Sequence, residues 1–488
     1  MKMKYTICLF VALLSFYSCV DDNGSYDYLQ SPSVKITFDE YLYDGVIEEE
    51  TVIEPNLEFV KGDNAADYTY EWSLNGQIVS TDQVLTYIPH EVATYYILYS
   101  VISKATGIRV MKNLQMSVKS PYKTGWAILS EKEGKSLLTQ VRDDNQYIDY
   151  LDIYKTQNGE ELGEHPYKLI EHYYSNTGSD SEILVINHDA KGALELSGNT
   201  MKKVLYTTQE FTEGVPNDFV VKNVANLLYT DVLLTTNGEI YLRQVPNQKK
   251  AGFHSAPYSS VPAHFNKGMK IAKLVPGNYS KTLHTLMYDE KNHRLLCLNS
   301  IYNDYSGDIH EVSLSGLEDK TLLYVSAYYP SDWSCKYMLL LKDGNGKYSV
   351  KTFAIDVDYG SVYVSDETDY SFPGETYLTE RSKFECSRDY SGSYLFFTGG
   401  ASNDAIYYYE NSTEKITPFT TCNSEITDIQ LNYGSTTLGV GMKDGFVVYD
   451  VDESVIVSGE VKKLHEVNNI GEVVDVIYRY GSPSKMYR

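Results

Sequence analysis

The chain has 488 residues, 42% of them apolar, which is enough for two or three domains with packed cores and excludes a disordered chain. Its 66 acidic residues against 42 basic ones give a formal net charge of −24, a surface that repels nucleic acid and anionic lipid. Beyond residue 17 no long apolar run occurs, so no transmembrane helix is predicted there.

Lys2 and Lys4 precede an apolar stretch of 13 residues, Tyr5 to Tyr17. That is too short to span a bilayer as a helix, and it suits a cleaved signal over residues 1–18. Cys19 directly after Ser18 resembles the lipobox of bacterial lipoproteins. The resemblance implies that Cys19 becomes the new N-terminus and carries acyl chains, which leaves 470 residues with a net charge near −26. Asp21 and Asp22 resemble the surface-export tag of Bacteroidetes surface lipoproteins, and they imply exposure at the cell surface. The bland alternative is a plain secretory signal followed by a solvated tether. Residues 19–31 form an acidic lipidated tether in this reading.

From residue 32 to about 120 the pattern is β. VKITF alternates, YTYEWSLNG runs into a turn at Asn75-Gly76, and TYYILYSVISKATG is a long strand with its own turn. About 90 residues of short strands with one mid-domain Trp72 predict an immunoglobulin-like sandwich, with Trp72 in its core.

A different regime runs from 121 to 488. Hairpin signals recur between apolar strands near Gly134, Gly192, Gly238, Asn292, Asn345, Asn403 and Gly445. The first and last are 311 residues apart, about 52 per interval. One strand–turn–strand unit per repeat of that length predicts a β-propeller of seven blades. The repeat does not by itself separate seven blades from six or eight, and a series of sandwiches is the alternative. VVDVIYRYG (473–481) is expected to complete the first blade and remove an open edge. The whole chain is therefore all-β. Its 46 Tyr fit strands as well as wet binding surfaces. Cys297, Cys335, Cys386 and Cys422 allow three pairings, or four free thiols, and spacing does not choose.

Four segments together resemble the PKD-like family lipoproteins of Bacteroidetes: SCVDDNGSYDY (18–28), YEWSLNG (70–76), YSVISKATG (99–107) and TGWAILSEKEGKS (124–136). The resemblance covers about residues 1–136 by motif and the rest by architecture. It implies an outer-membrane, lipid-anchored accessory of a nutrient-uptake system. Such an accessory stands beside a SusC-type transporter and its SusD-like lipoprotein, and it captures glycan or peptide or scaffolds other surface proteins.

Catalytic motifs do not stand out. HExxH, Gly-x-Ser-x-Gly and Walker A patterns are absent. His90, His310 and His465 each precede a Glu but lack a second His at helical spacing. Asp356/Asp358 and Asp450/Asp452 are the chain's nearest approach to a Ca²⁺ site, and they read more simply as solvated turns. No cofactor or metal is implied. Residues 243–270 are unusual, with three prolines, five basic residues and several aromatics. They predict a long loop between blades that decorates one face and meets a ligand or partner through Phe253, His254, Tyr258, His264 and Phe265. Trp333, in a Pro/Ser/Asp turn, is a second candidate for sugar stacking. The function expected is non-catalytic binding or scaffolding. The alternative is a propeller-fold carbohydrate-active hydrolase or lyase, which requires two carboxylates roughly 5–10 Å apart in the central funnel. A purely structural envelope protein is the third reading.

Overall fold

The computed structural model describes residues 34–481, apart from 60–61, 144–145, 173–180, 190, 212, 228–229, 245–255, 276–283, 302–303, 332–333, 359–360 and 388–393. Contacts divide the chain into two compact units, Met1–Lys119 and Ser120–Arg488.

The first unit is a β-sandwich. Its larger sheet has five strands, Leu42–Val46, Arg109–Lys119, Thr94–Ser103, Tyr68–Leu74 and Gln77–Ser80 in spatial order. Two short pairs, Val34–Thr37 with Asn56–Phe59 and Thr51–Ile53 with Leu85–Tyr87, contribute Ile36, Ile53 and Leu85 to the same core. Trp72 is fully buried in it, 4.2 Å from the Tyr99 ring, and its indole N–H donates to the Asp82 carbonyl at 3.0 Å. A buried indole needs that acceptor, because an unmade hydrogen bond would cost about 1–3 kcal/mol. The predicted turn forms with Asn75 at φ +48 and Gly76 at φ +84, the left-handed pair that an Asn-Gly hairpin requires.

The second unit is a β-propeller of seven antiparallel sheets that follow one another along the chain. Six blades have four strands, and blade 3 has three among the described residues. All seven predicted hairpins are the same element, the turn from the second to the third strand of each blade. These middle strands are sandwiched between neighbouring blades, and Glu182–Asn187 and Thr230–Thr235 are buried at every position. The first strands of blades 2 to 7 are Pro166–His172, Val221–Asn226, Ile271–Leu274, Thr321–Ser331, Phe384–Cys386 and Ile426–Leu431. Blade 1 takes its corresponding strand from the C-terminus. Glu472–Tyr480 pairs antiparallel with Thr124–Lys132 and lies against the first strands of blades 2 and 7. The ring is therefore closed, and these seven strands wall a central channel.

Arg479 locks that closure. It is fully buried and donates to Glu171 at 3.2 Å, Ser181 Oγ at 2.9 Å, the Gly198 carbonyl at 3.0 Å and the Tyr122 carbonyl. Cys297, Cys335, Cys386 and Cys422 are all free thiols, the first three buried. Among the described residues no helix is long and apolar enough to cross a membrane.

Candidate functional site

Cys19, Asp21, Asp22, Phe253, His254 and Trp333 lie outside the described residues. The described part of the 243–270 segment does not decorate a face of the propeller. Its Ser259 and Ala263 amides donate to the Leu242 and Ile240 carbonyls, both at 2.9 Å. The segment thus runs along Ile240–Gln244 in place of a fourth strand of blade 3, satisfying an edge that would otherwise stay open. Tyr258 is no exposed platform. It is fully buried, stacked on Phe211 at 5.5 Å and covered by the Arg243 guanidinium at 4.5 Å. Phe265 packs down onto the blade under Arg294, at 5.1 Å, while His264 is exposed. His264 and Phe265 share a cleft of 560 Å³ with Arg243 and Asp308. Of the described candidates, the structure brings only this pair together at a surface.

Beneath that segment a chain of buried charges joins blades 2 and 3. His172 lies between Glu182, 3.3 Å from Nδ1, and Asp231, 3.8 Å from Nε2. Arg243 binds Asp231 at 2.6 Å and also pairs with Glu210. Burial alone would raise the Asp231 carboxyl, but Arg243 and His172 outweigh it and hold the group below the usual carboxylate range. Pairing of this kind makes buried charge tolerable.

The channel wall carries a second polar set, which sequence reasoning missed. Near the start of six of the seven first strands a polar side chain reaches forward to the next blade. Asp475 of blade 1 accepts from the Leu169 amide of blade 2 at 2.7 Å. In blade 3, Lys222 and Asn223 donate to the Ala272 and Leu274 carbonyls of blade 4 at 2.8 and 2.9 Å. Lys273 donates to the Leu323 carbonyl of blade 5 at 3.0 Å, and the Tyr324 hydroxyl accepts from the Cys386 amide of blade 6 at 2.9 Å. Glu385 accepts from the Gln430 side chain of blade 7, and Asp428 accepts from the Val476 amide of blade 1 at 2.8 Å. Six of the seven junctions are stitched in this way. The exception, between blades 2 and 3, carries the His172–Asp231 pair instead. Lys168 of blade 2 and Lys383, one residue ahead of the first strand of blade 6, are left out of the stitching. Neither ammonium has a hydrogen-bond or ion-pair partner among the described residues.

These charges sense one another across the channel. Burial and then the Asp475 carboxylate raise Asp428 far above the usual range, against the opposing pull of Lys383, the Val476 amide and Lys168. Asp475 is likewise raised by burial, against Lys168, the Leu169 amide and Lys383. Two carboxylates in one polar cavity resist ionising together. Lys273 is lowered by burial and by the crowding of Lys222 and Lys168. The sequence did hold a signal. YKLI, VKNV, AKLV and TDIQ each put a Lys or Asp into an apolar strand, and SKFE puts a Lys just ahead of one, 16 to 24 residues before the blade's hairpin. Among the described residues no group of three or more His, Cys, Asp or Glu is placed to hold a metal ion. Asp450 pairs instead with Lys462 at 2.9 Å, Asp452 caps the helix Glu453–Ser458, and Asp356 accepts from Ser365 at 2.6 Å.

The fold and this channel define a sandwich-plus-propeller protein with a polar, blade-stitched core. The sequence profile of the PKD-like family matches residues 19–166, which contain the whole sandwich and the first strands of the propeller. No curated protein matches the chain. Among solved structures it is similar to a quinonprotein alcohol dehydrogenase-like protein from Bacteroides thetaiotaomicron. That match has 15% identity and a TM-score of 0.46, and covers 92% of this chain and all of the other. It is also similar to a periplasmic gluconolactonase from Pseudomonas aeruginosa, at 9% identity and a TM-score of 0.47, covering 73% of this chain and 99% of the other.

Proposed function

We propose that this protein is a lipid-anchored, surface-exposed binding or scaffold accessory of a SusC/SusD-type nutrient-uptake system. The reading is carried by the PKD-like match, which begins at Cys19 behind a lipobox-like signal. The sandwich then acts as a spacer and the propeller as the interaction head. The channel fits binding better than turnover, because Asp428 and Asp475 already accept backbone amides of neighbouring blades. A group held by structure is poorly placed to shuttle protons, whereas a rigid ring of charges is preorganised for a ligand. The expected partners are outer-membrane lipid, the transporter, its lid lipoprotein and a glycan or peptide. Pull-down of the tagged chain from solubilised outer membrane tests this. Recovery of a transporter and lid pair supports it. Recovery of neither, together with no ligand binding by the purified protein, sinks it.

One observation favours the hydrolase or lyase alternative. Asp428 and Asp475 converge on one channel, and Asp428 holds its proton to unusually high pH, as a general acid must. An Asp428→Asn/Asp475→Asn variant that binds glycan as the wild type does and loses a measured cleavage activity would establish that reading. Absence of cleavage across glycan libraries by the wild type would dismiss it.

A further inference from the structure

We propose that the central channel of the propeller binds a small oxyanion, a carboxylate or phosphate, held by the ammonium groups of Lys168, Lys222, Lys273 and Lys383. Asp428 and Asp475 are positioned to accept from hydroxyl groups on the same molecule. The inference rests on the reading of the propeller as a binding head, and it names the chemistry of what that head takes.

The argument starts from cost. The whole chain is strongly acidic, yet the inner wall gathers four lysines from blades 2, 3, 4 and 6 against three carboxylates, Asp428, Asp475 and Glu385, the last already engaged by Gln430. Like charges crowded in a part-buried channel destabilise the fold, and stitching does not need them. Asn223 and Tyr324 bridge their blade junctions without any charge. Lys222 and Lys273 each commit one N–H to a neighbouring carbonyl and keep two donors. Lys168 and Lys383 commit none among the described residues. Blade 6 reaches its neighbour through Glu385, and the blade 2 junction is made by His172, so neither lysine has a structural task there. An oxyanion relieves the mutual repulsion of Lys168, Lys222 and Lys273, and it gives the idle ammoniums acceptors. A cation gains less, because four ammoniums oppose it and Asp428 and Asp475 resist ionising together.

Calorimetric titration of the full chain with inorganic phosphate, glucuronate and glucose, at low and high salt, tests the proposal. The expected result is salt-sensitive binding of at least one anion and none of glucose. Phosphate alone would assign a phosphate-type ligand, and glucuronate alone a sugar acid. Lys168→Gln and Lys383→Gln are expected to weaken binding by about tenfold each, and Lys168→Arg to retain it. Both Gln variants should melt close to the wild type, since no hydrogen bond or ion pair among the described residues is lost, but without the anion-induced rise in melting temperature. Absence of anion binding, or anion binding unchanged in the Lys168→Gln/Lys383→Gln double variant, would overturn the inference. The pull-down would still decide the accessory role, so the two failures are distinguishable.

Discussion

His284 opens the second strand of blade 4 (His284–Asp289) and is almost fully buried, 6.1 Å from the Tyr337 ring. Its Nε2 has no hydrogen-bond partner among the described residues. Burial, only weakly opposed by Asp356, lowers its pKa from 6.5 to about 4. Between those values the unfolded chain binds the proton and the folded one does not. This residue therefore costs stability as pH falls from 6.5 to 4, about 3 kcal/mol in full, and its effect levels off below. His284→Leu is expected to flatten that limb of a urea-denaturation series across pH. Asp428 acts with the opposite sign. The unfolded carboxyl loses its proton near 3.8, whereas the folded one holds it towards about 8. Wild-type stability should thus decline as pH rises through that window. Asp428→Asn keeps an acceptor for the Val476 amide and removes the ionisation. It should be more stable than the wild type at alkaline pH, by about 1–3 kcal/mol, in the same denaturation series. Equal slopes for the two proteins would show that Asp428 ionises freely in the channel.

Blades pack through their middle strands, and Gly439 shows how little slack that packing has. It lies in Thr437–Met442 of blade 7, where an added Cβ would stand 2.6 Å from the Trp126 ring of blade 1 and 3.0 Å from Phe446. Trp126 is fully buried and also meets Tyr478 of the closing strand edge to face, so it has nowhere to move. Gly439→Ala should cost about 1–3 kcal/mol, read as a lowered urea midpoint with an unchanged slope. An unchanged midpoint would mean that the blade 7 to blade 1 interface is looser than its geometry. The same elements explain what the sequence revealed. The hairpins were visible because a tight turn needs left-handed backbone, and Gly134, Gly192, Gly238, Gly346 and Asn403 supply it locally. The closing strand was visible because a strand that follows the last hairpin of a propeller commonly completes the first blade. The channel ring was not, because its members lie on seven segments spread over 300 residues, and each Lys or Asp alone looks like a solvated strand residue. Tyr258 was misread for a related reason. Its neighbours in sequence are polar and loop-like, while its burial depends on Phe211 and Arg243, 47 and 15 residues away.

At the scale of the whole molecule, the proposed role needs two separate addresses, one to hold the chain at a membrane and one to put it on the outer side. Charge does not supply the first, since a net −24 repels anionic headgroups. Acyl chains at Cys19 would, because each buried CH₂ contributes about 0.8 kcal/mol and two or more chains anchor stably where one does not. Cys19→Ala should therefore move the protein from the membrane pellet to the soluble fraction, with the propeller still folded, since that unit begins only at Ser120. The second address is proposed for Asp21 and Asp22, the acidic pair just behind Cys19 in the sequence. Changing both to Ala should leave the protein in the membrane pellet but shield it from protease added to intact cells. The two variants separate the addresses, because one changes fractionation and the other changes only accessibility. If Asp21→Ala/Asp22→Ala stays protease-sensitive on intact cells, those acids are a tether and nothing more. If Cys19→Ala stays in the pellet, another part of the chain or a partner holds it there, and the sandwich can no longer be read as a spacer above a lipid anchor.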